Sequence, residues 1–488
     1  MDYGAKREIY TLEGLTPEVR AVTFAKCSRS PESFQAIADE LTEEKSSEFH
    51  EKWVVGYGHS SVAEHAILSI AIENVSNIAT KVIEDNRLAS FTEKSSRYQI
   101  FDKSRYYKPR KIMESDLAGL YTETADMLFD TYNELIEPLT EFMKKKCPQT
   151  EKQSDKVYAS IIKAKVCDNI RYLLPAATQT NLGMTVNARE LEHAIKKLLS
   201  HPLDEMRELG KEIKNVALQI TPTLIQFADR NEYFEKTRAA LEKKAKEVMG
   251  DAKVEPTEPV KIVSYEKDAE EKLVASLLYP GSRYSFEQLY ERAKEMNDKE
   301  KEDVIDEALK HRGDYDAPIR ELEHVYYTFD ILMDFGAFRD VQRHRICTQS
   351  NQEITTAHGY SMPEDLPEAG FEKKFSEAMD KAHAAYEKIY EKFPKEAQYI
   401  VPMAYNKRTL FTWNLRELHH FISLRSGKKG HISYRRIAQE CWNKLNEIHP
   451  LLAKYIRVDM SAGSSSWAAS LHDPNLCLKP KQPPRENS

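Results

Sequence analysis

The chain has 488 residues, too many for one ordinary domain and suited to two or three. Hydrophobic residues are 41% and charged residues 31%, enough for sizeable cores beneath a well-solvated surface. A formal net charge of −7 excludes a general nucleic-acid binder, but leaves room for a local basic pocket that takes one phosphate.

The six cysteines (Cys27, Cys147, Cys167, Cys347, Cys441 and Cys477) are scattered and form no CxxC pair, which suits free thiols in a reducing compartment. The N-terminus has no basic-then-apolar leader, and no apolar run is long enough to span a bilayer. The expectation is a soluble cytoplasmic protein that engages neither membrane nor nucleic acid.

The first dense group of polar residues is Gly58-His59-Ser60-Ser61-Val62-Ala63-Glu64-His65. Ser61 and Glu64 also fit a helix capping box, in which case the histidines are incidental. His59 and His65 lack a third ligand at metal-site spacing. Alternation over Ala66–Ile72 predicts a strand. A helix follows and leads to Arg87, where Arg87-Leu88-Ala89-Ser90-Phe91-Thr92-Glu93-Lys94-Ser95-Ser96-Arg97-Tyr98 places hydroxyls and guanidinium forks around a turn. Such a loop is either a phosphate cradle or a polar surface turn. Apolar periodicity predicts helices over Met113–Lys144 and Val157–Leu173.

The chain then repeats itself. Pro175 is followed twelve residues later by Asn187-Ala188-Arg189-Glu190-Leu191-Glu192-His193, and Pro402 is followed twelve residues later by Asn414-Leu415-Arg416-Glu417-Leu418-His419-His420. Glu64-His65 precedes Arg87 by a helix-sized gap, and Glu323-His324 precedes Arg345 by nearly the same gap. The spacing predicts two copies of one domain, at 1–235 and 263–455. Between them, 236–262 is a linker, helical over Leu241–Met249 and then rich in proline and charge. A tail over 456–488 follows the second copy.

The second copy carries a predicted strand over Val325–Ile331, the positive turn Gln342-Arg343-His344-Arg345-Ile346-Cys347-Thr348, and an amphipathic helix over Phe371–Phe393. The turn suits an anionic ligand or is a basic surface turn. Cys347 has no identifiable base partner and reads as a structural thiol. On the last motif helix, Asn414 and Arg425 share one face, and Arg416 and His420 another. The fold class is α+β, two tandem helix-rich copies with a sheet in each.

These motifs together resemble the flavin-dependent thymidylate synthases. That family has a Gly-His-x-[Ser/Thr]-x-x-Glu-His stretch, an Arg-His-Arg turn running into a Ser-x-Arg loop, and an Asn-x-Arg helix ending in a key arginine. The resemblance covers most of both halves, and the losses are complementary. The first half keeps His59, Ser61, Glu64, Glu93, Ser95, Arg97 and Arg171. It has Asp85-Asn86-Arg87 at the Arg-His-Arg positions and Leu198 at the key arginine. The second half keeps Arg343, His344, Arg345, Asn414, Arg416 and Arg425. It has Gly313-Asp314-Tyr315-Asp316-Ala317-Pro318 for the Gly-His stretch and Gln398 where the first half has Arg171.

The resemblance implies reductive methylation of dUMP to dTMP, with FAD as bound cofactor and methylenetetrahydrofolate and NADPH as co-substrates. It implies one composite site per two copies, within or between chains, and a homodimer that forms a four-domain pseudo-tetramer. By the same resemblance Glu93, Ser95, Arg97, Arg171, Arg343 and Arg425 bind the nucleotide, and Arg425 is catalytic. His59, Ser61, Glu64, Arg343, His344, Arg345, Asn414, Arg416 and His420 bind FAD. Asp340 stands where the family usually has a glutamine, and Thr92 replaces an asparagine. Those departures keep open a flavin enzyme acting on another pyrimidine nucleotide. A degenerate nucleotide-binding paralogue is a third reading.

Overall fold

The computed structural model describes residues 7–41, 43–50 and 60–461. The chain forms two compact units that do not follow the two sequence copies. One draws on residues within 1–94, 107–114 and 178–252, the other on residues within 95–106, 115–177 and 253–488. The first copy therefore contributes its Ser95 loop and its long helices to the second unit.

The first unit holds a three-stranded antiparallel sheet in the order β1 (Ile67–Ser76), β3 (Gln179–Asn187), β2 (Ala89–Glu93). Along β1, Leu68, Ile70 and Ile72 are buried and alternate with exposed neighbours, the period-two pattern of a half-covered sheet. Ser76 ends β1 and caps the Asn77–Ile83 helix with its side chain. Asn187 ends β3 and caps the Ala188–Leu199 helix in the same way.

The second unit repeats this arrangement and adds an edge strand. Its sheet runs β4 (Val260–Tyr265), β5 (Tyr326–Asp334), β7 (Asn406–Asn414), β6 (Thr348–Asn351). The registers of the two sheets correspond. Ile67 pairs with Asn187 and Tyr326 with Asn414. Two residues along, Ser69 and Thr185 join hydroxyls at 3.1 Å, and Thr328 and Thr412 do so at 2.9 Å. Asp334 caps the Phe335–Val341 helix, and Asn414 caps the Leu415–Ser426 helix. Trp413 stacks between Phe411 and Phe421, at 4.6 and 4.7 Å between ring centroids, and is fully buried.

The two copies also meet inside this unit. Pro175 and Pro402 form an antiparallel bridge. The Ala118–Lys146 helix of the first copy packs antiparallel to the Glu372–Lys392 helix of the second, with Glu134 paired to Lys374 and Asp116 to Lys392.

Element boundaries differ from the sequence reading in places. The helix predicted from Met113 starts at Ala118, because the Ser115 side chain accepts the Leu117 N–H and holds the chain in a turn. The helix predicted over Val157–Leu173 spans Asp155–Ile170 and tightens into a 3₁₀ turn at Arg171–Leu173. Leu241–Met249 belongs to a longer helix, Glu232–Met249, and Val260 already lies in β4. The tail from 462 and His59 fall outside the described residues. Among the described residues, no helix is long and apolar enough to cross a membrane.

Candidate functional site

Four helix ends and one loop of the second unit deliver charged side chains to one place. The Asp155–Ile170 helix brings Asp168 near its C-terminus, and the 3₁₀ turn that follows brings Arg171. The Phe335–Val341 helix ends with Asp340 and runs into Arg343-His344-Arg345. The Leu415–Ser426 helix ends with Arg425, and the Ile432–Ile448 helix begins with Tyr434. The Ser95–Arg97 loop closes the group.

Arg97 grips Asp168 with both arms of its fork, Nε to Oδ1 at 2.7 Å and Nη2 to Oδ2 at 2.9 Å, and its Nη1 donates to the Tyr434 hydroxyl at 3.2 Å. Burial raises the cost of charging Asp168, but His431, Arg97 and Arg171 hold its carboxyl below the ordinary carboxylate range. One residue earlier, Ser96 accepts from Arg339 Nη1 at 3.0 Å, which ties the first-copy loop to the second-copy helix. Ser95 accepts the Arg97 N–H at 3.2 Å and shapes the turn.

Arg171 is 2% exposed. Its Nη1 stands 4.0 Å from Asp340, while its Nε and Nη2 have no hydrogen-bond partner among the described residues. Buried guanidinium donors are expensive to leave unmatched, so these two mark a place for an acceptor. A Cβ at Gly336 would crowd Asp334 Oδ1 at 3.1 Å and reach ordinary contact with Arg171 Nη2 at 3.5 Å.

Arg425 is fixed from the other side. Its Nε–H donates to His344 Nε2 at 2.9 Å, and His344 Nδ1 meets Glu417 at 2.9 Å. Nε2 accepts, so the ring carries its proton on Nδ1 and donates it to Glu417. Burial, Arg425 and His420 push His344 well below its ordinary value, so the ring stays neutral. Burial lifts Glu417 to about 7. The Arg425 guanidinium also sits 5.4 Å from the Tyr434 ring centroid, within cation–π range.

Five of the sequence-predicted cofactor residues line two cavities, one in each unit, while Arg343, His344 and Arg345 line neither. In the second unit a cavity of about 370 Å³ is lined by Asn414, Arg416 and His420, with Arg312, His419 and Arg457. Arg416 already donates to the Pro318 carbonyl at 2.7 Å and to Glu323 at 3.0 Å. Asn414 Oδ1 accepts the Glu417 N–H. Arg345 lies half-buried in the turn after His344. In the first unit a cavity of about 320 Å³ is lined by Ser61, Glu64 and His65, with Phe24 and Arg29. Glu64 pairs with Arg189 rather than closing a capping box, the counterpart of the Glu323–Arg416 pair. Glu93 lies in the first unit, accepting from Lys81 at 3.0 Å and Thr80 at 3.2 Å.

The counterpart positions of the arginine cluster are self-satisfied. In the second copy, Gln398 stands where Arg171 stands in the first, and its Oε1 accepts the Ile354 N–H at 3.1 Å. Neighbouring Glu353 pairs with Lys395 at 2.7 Å. In the first copy, Lys197 donates to Asp85 at 3.4 Å and Asn86 at 3.2 Å, and Leu198 replaces the final arginine. Neither counterpart offers a concentrated anion site.

Sequence reasoning missed Asp168, Tyr434, Arg339 and Glu417. Asp168 had a signal, one helical turn before Arg171. Glu417 had one as the third residue after the Asn414 cap. Tyr434 and Arg339 had none, because their partners are hundreds of residues away. The structure brings Arg97, Arg171, Arg343, His344 and Arg425 together. It places Ser61, Glu64 and Glu93 in the other unit. Cys347 donates its thiol to the His344 carbonyl at 2.9 Å, a packing role within the turn.

A family model described as thymidylate synthase complementing protein matches residues 11–223 and again 261–451, so the chain belongs to that family and carries its domain twice. A UPF0159 protein of Chlamydia pneumoniae is 34% identical over 93% of this chain and 92% of its own length. A UPF0159 protein of Thermoplasma acidophilum is 29% identical over 86% of this chain and 90% of its own. A flavin-dependent thymidylate synthase of Clostridium tetani is 27% identical over 43% of this chain and 82% of its own length, the proportion expected of a single-copy relative.

Proposed function

We propose that the protein is a flavin-dependent thymidylate synthase that converts dUMP to dTMP through one composite site per chain. The observation that carries this reading is the meeting of first-copy Arg97 and Arg171 with second-copy His344 and Arg425 inside one unit, with two buried Arg171 donors unmatched among the described residues. A phosphomonoester supplies the acceptors those donors lack.

Arg171, Arg97 and Ser95 hold the nucleotide phosphate. Arg343 flanks it from the exposed side. Arg425, oriented by the neutral His344 ring, faces the base and stabilises negative charge that grows on the uracil during activation. That stabilisation is greatest in a site closed to water, where the guanidinium needs no reorganisation.

The residues lining the second-unit cavity fit FAD. Three arginines and two histidines surround a space of about 370 Å³, and Arg312 Nε is buried without a partner among the described residues. Asn414, Arg416, His420 and the Arg343-His344-Arg345 turn would hold it. Bound FAD supplies hydride carriage from NADPH while methylenetetrahydrofolate supplies the carbon. A dimer of two such chains provides the four domains of a single-copy tetramer.

A second reading is a flavin enzyme acting on another pyrimidine nucleotide. Asp340, an acceptor-only carboxylate among the arginines, favours it.

The test is dTMP formation by purified protein with FAD, NADPH, methylenetetrahydrofolate and dUMP. Product establishes the synthase. Bound flavin without product moves the reading to another nucleotide. Absence of both flavin and product leaves a non-catalytic paralogue.

A further inference from the structure

Packing holds the His344 ring in place, but packing does not decide where its proton sits. The ring is 4% exposed, with Phe421 edge-on at 5.1 Å and His420 tilted at 5.2 Å between ring centroids. The His344 carbonyl accepts from the Gln349 amide and the Cys347 thiol, each at 2.9 Å, so the backbone is fixed as well. Burial keeps the ring neutral, with one proton to place on either nitrogen. Both tautomers occupy the same space, so only polar partners can choose between them. Arg425 has no acceptor to offer, and its Nε–H on His344 Nε2 at 2.9 Å requires a bare lone pair there. The proton then sits on Nδ1 and needs an acceptor, and Glu417 Oε1 is 2.9 Å away.

Glu417 is diverted from its ordinary task to supply that acceptor. A glutamate at the third helical residue commonly closes a capping box on the N–H of the cap residue. In the Leu415–Ser426 helix Asn414 Oδ1 accepts the Glu417 N–H at 2.8 Å, but the Glu417 side chain reaches His344 instead. Glu417 is 9% exposed, a depth at which a carboxyl group is costly unless hydrogen-bonded. The first copy keeps the acid as Glu190 but has Asn86 and Leu198 in place of the histidine and the arginine. There Glu190 is only half-buried, and Asn86 accepts from Lys197 at 3.2 Å. The deep burial of the acid goes with the histidine–arginine pair.

We propose that Glu417 is a positioning residue for Arg425: by accepting the His344 Nδ1 proton, it fixes the ring in the one tautomer whose Nε2 can take the Arg425 Nε–H and aim the guanidinium. What Arg425 then does to the base rests on the synthase reading above; the tautomer does not. Replacing Glu417 leaves the ring two poor choices. With the proton kept on Nδ1, a buried donor is orphaned. With the proton on Nε2, two donors face each other and Arg425 swings away. Asp340 lies 3.8 Å from Arg425 Nη1 and gives it a place to retreat to, so the second outcome is expected.

The experiment is proton–nitrogen correlation NMR of the full-length protein with isotope-labelled histidine, in wild type and Glu417→Met. Methionine fills most of the volume of the side chain without an acceptor, and the His344 signal is assigned by its loss in His344→Gln. Wild type is expected to show the Nδ1–H tautomer and Glu417→Met the Nε2–H tautomer. In turnover with dUMP, methylenetetrahydrofolate, FAD and NADPH, kcat of Glu417→Met should fall by about tenfold or more, the consequence of a wrong tautomer beside a catalytic group. KM for dUMP should change by less than about threefold, because Arg171 and Arg97 are untouched. An Nε2–H ring in wild type, an unchanged tautomer in Glu417→Met, or a switched tautomer with undiminished kcat overturns the proposal. A switched tautomer in a protein whose wild type forms no dTMP would instead overturn the synthase reading and leave the control of the tautomer standing.

Discussion

Pro175 and Pro402, the same residue in the two sequence copies, pair with each other across an antiparallel bridge. The hydrogen bonds around them are exchanged symmetrically. Ala176 N–H donates to the Val401 carbonyl and Met403 N–H to the Leu174 carbonyl, each at 2.9 Å. Ala177 N–H donates to Tyr399 at 2.9 Å and Ala404 N–H to Tyr172 at 3.1 Å. Every partner in one bond has its counterpart in the other, so the copies are related by a local two-fold at this point. Arg171 and Gln398 stand just before the crossing, at equivalent positions. One has become a buried cation and the other a backbone acceptor, which is how a symmetric junction carries an asymmetric site.

That asymmetry predicts different outcomes for twin substitutions. Arg171→Ala should abolish nucleotide binding. Gln398→Ala should leave kcat and KM unchanged and lower stability by about 1–3 kcal/mol, because the Ile354 N–H loses its acceptor. Steady-state kinetics and urea unfolding of the two variants check this.

Asp168→Ala leaves the Arg97 guanidinium buried without a counter-charge. The expected loss is about 3–5 kcal/mol of stability, read from denaturant midpoints. Replacing Lys103, whose pair with Asp130 is exposed, should cost less than about 1 kcal/mol.

Buried histidines set the pH response. Burial holds His419 and His431 at about 3 and His344 well below its ordinary value. In the unfolded chain each takes a proton below about pH 6.5, so the stability they allow is present above that pH and lost as pH falls toward their folded values. Glu417, lifted to about 7, acts the other way and gains stability for the fold as pH drops from there toward its unfolded value. His358 and His449 are lowered by burial like these histidines, and burial raises Asp334 and Glu270 like Glu417, so five histidines oppose three carboxyls and the urea midpoint should be lower at about pH 5 than at about pH 7.5. An unchanged or higher midpoint at the acidic pH would contradict this assignment.

Much of this was legible in the sequence, for physical reasons. Each predicted strand alternates because one sheet face is buried, and Asn187 and Asn414 mark helix starts because a side-chain acceptor is needed there. The arginines stood out because guanidinium clusters around a turn are costly without an anion. Other features were not legible. The grip of Arg97 on Asp168 spans 71 residues, and its contact with Tyr434 spans 337. No local pattern encodes such contacts. The division into units was hidden for the same reason: the Ser95 loop and the Ala118–Lys146 helix read as first copy but pack with the second.

The most direct test of the composite site mixes two inactive proteins. Arg97 and Arg425 come from different copies but lie in one unit of one chain, so Arg97→Ala and Arg425→Ala should each abolish dTMP formation. Mixing or co-expressing the two variants should restore nothing, since neither chain holds a complete set. Substantial recovery in the mixture would show that the site is assembled between chains and would contradict the account.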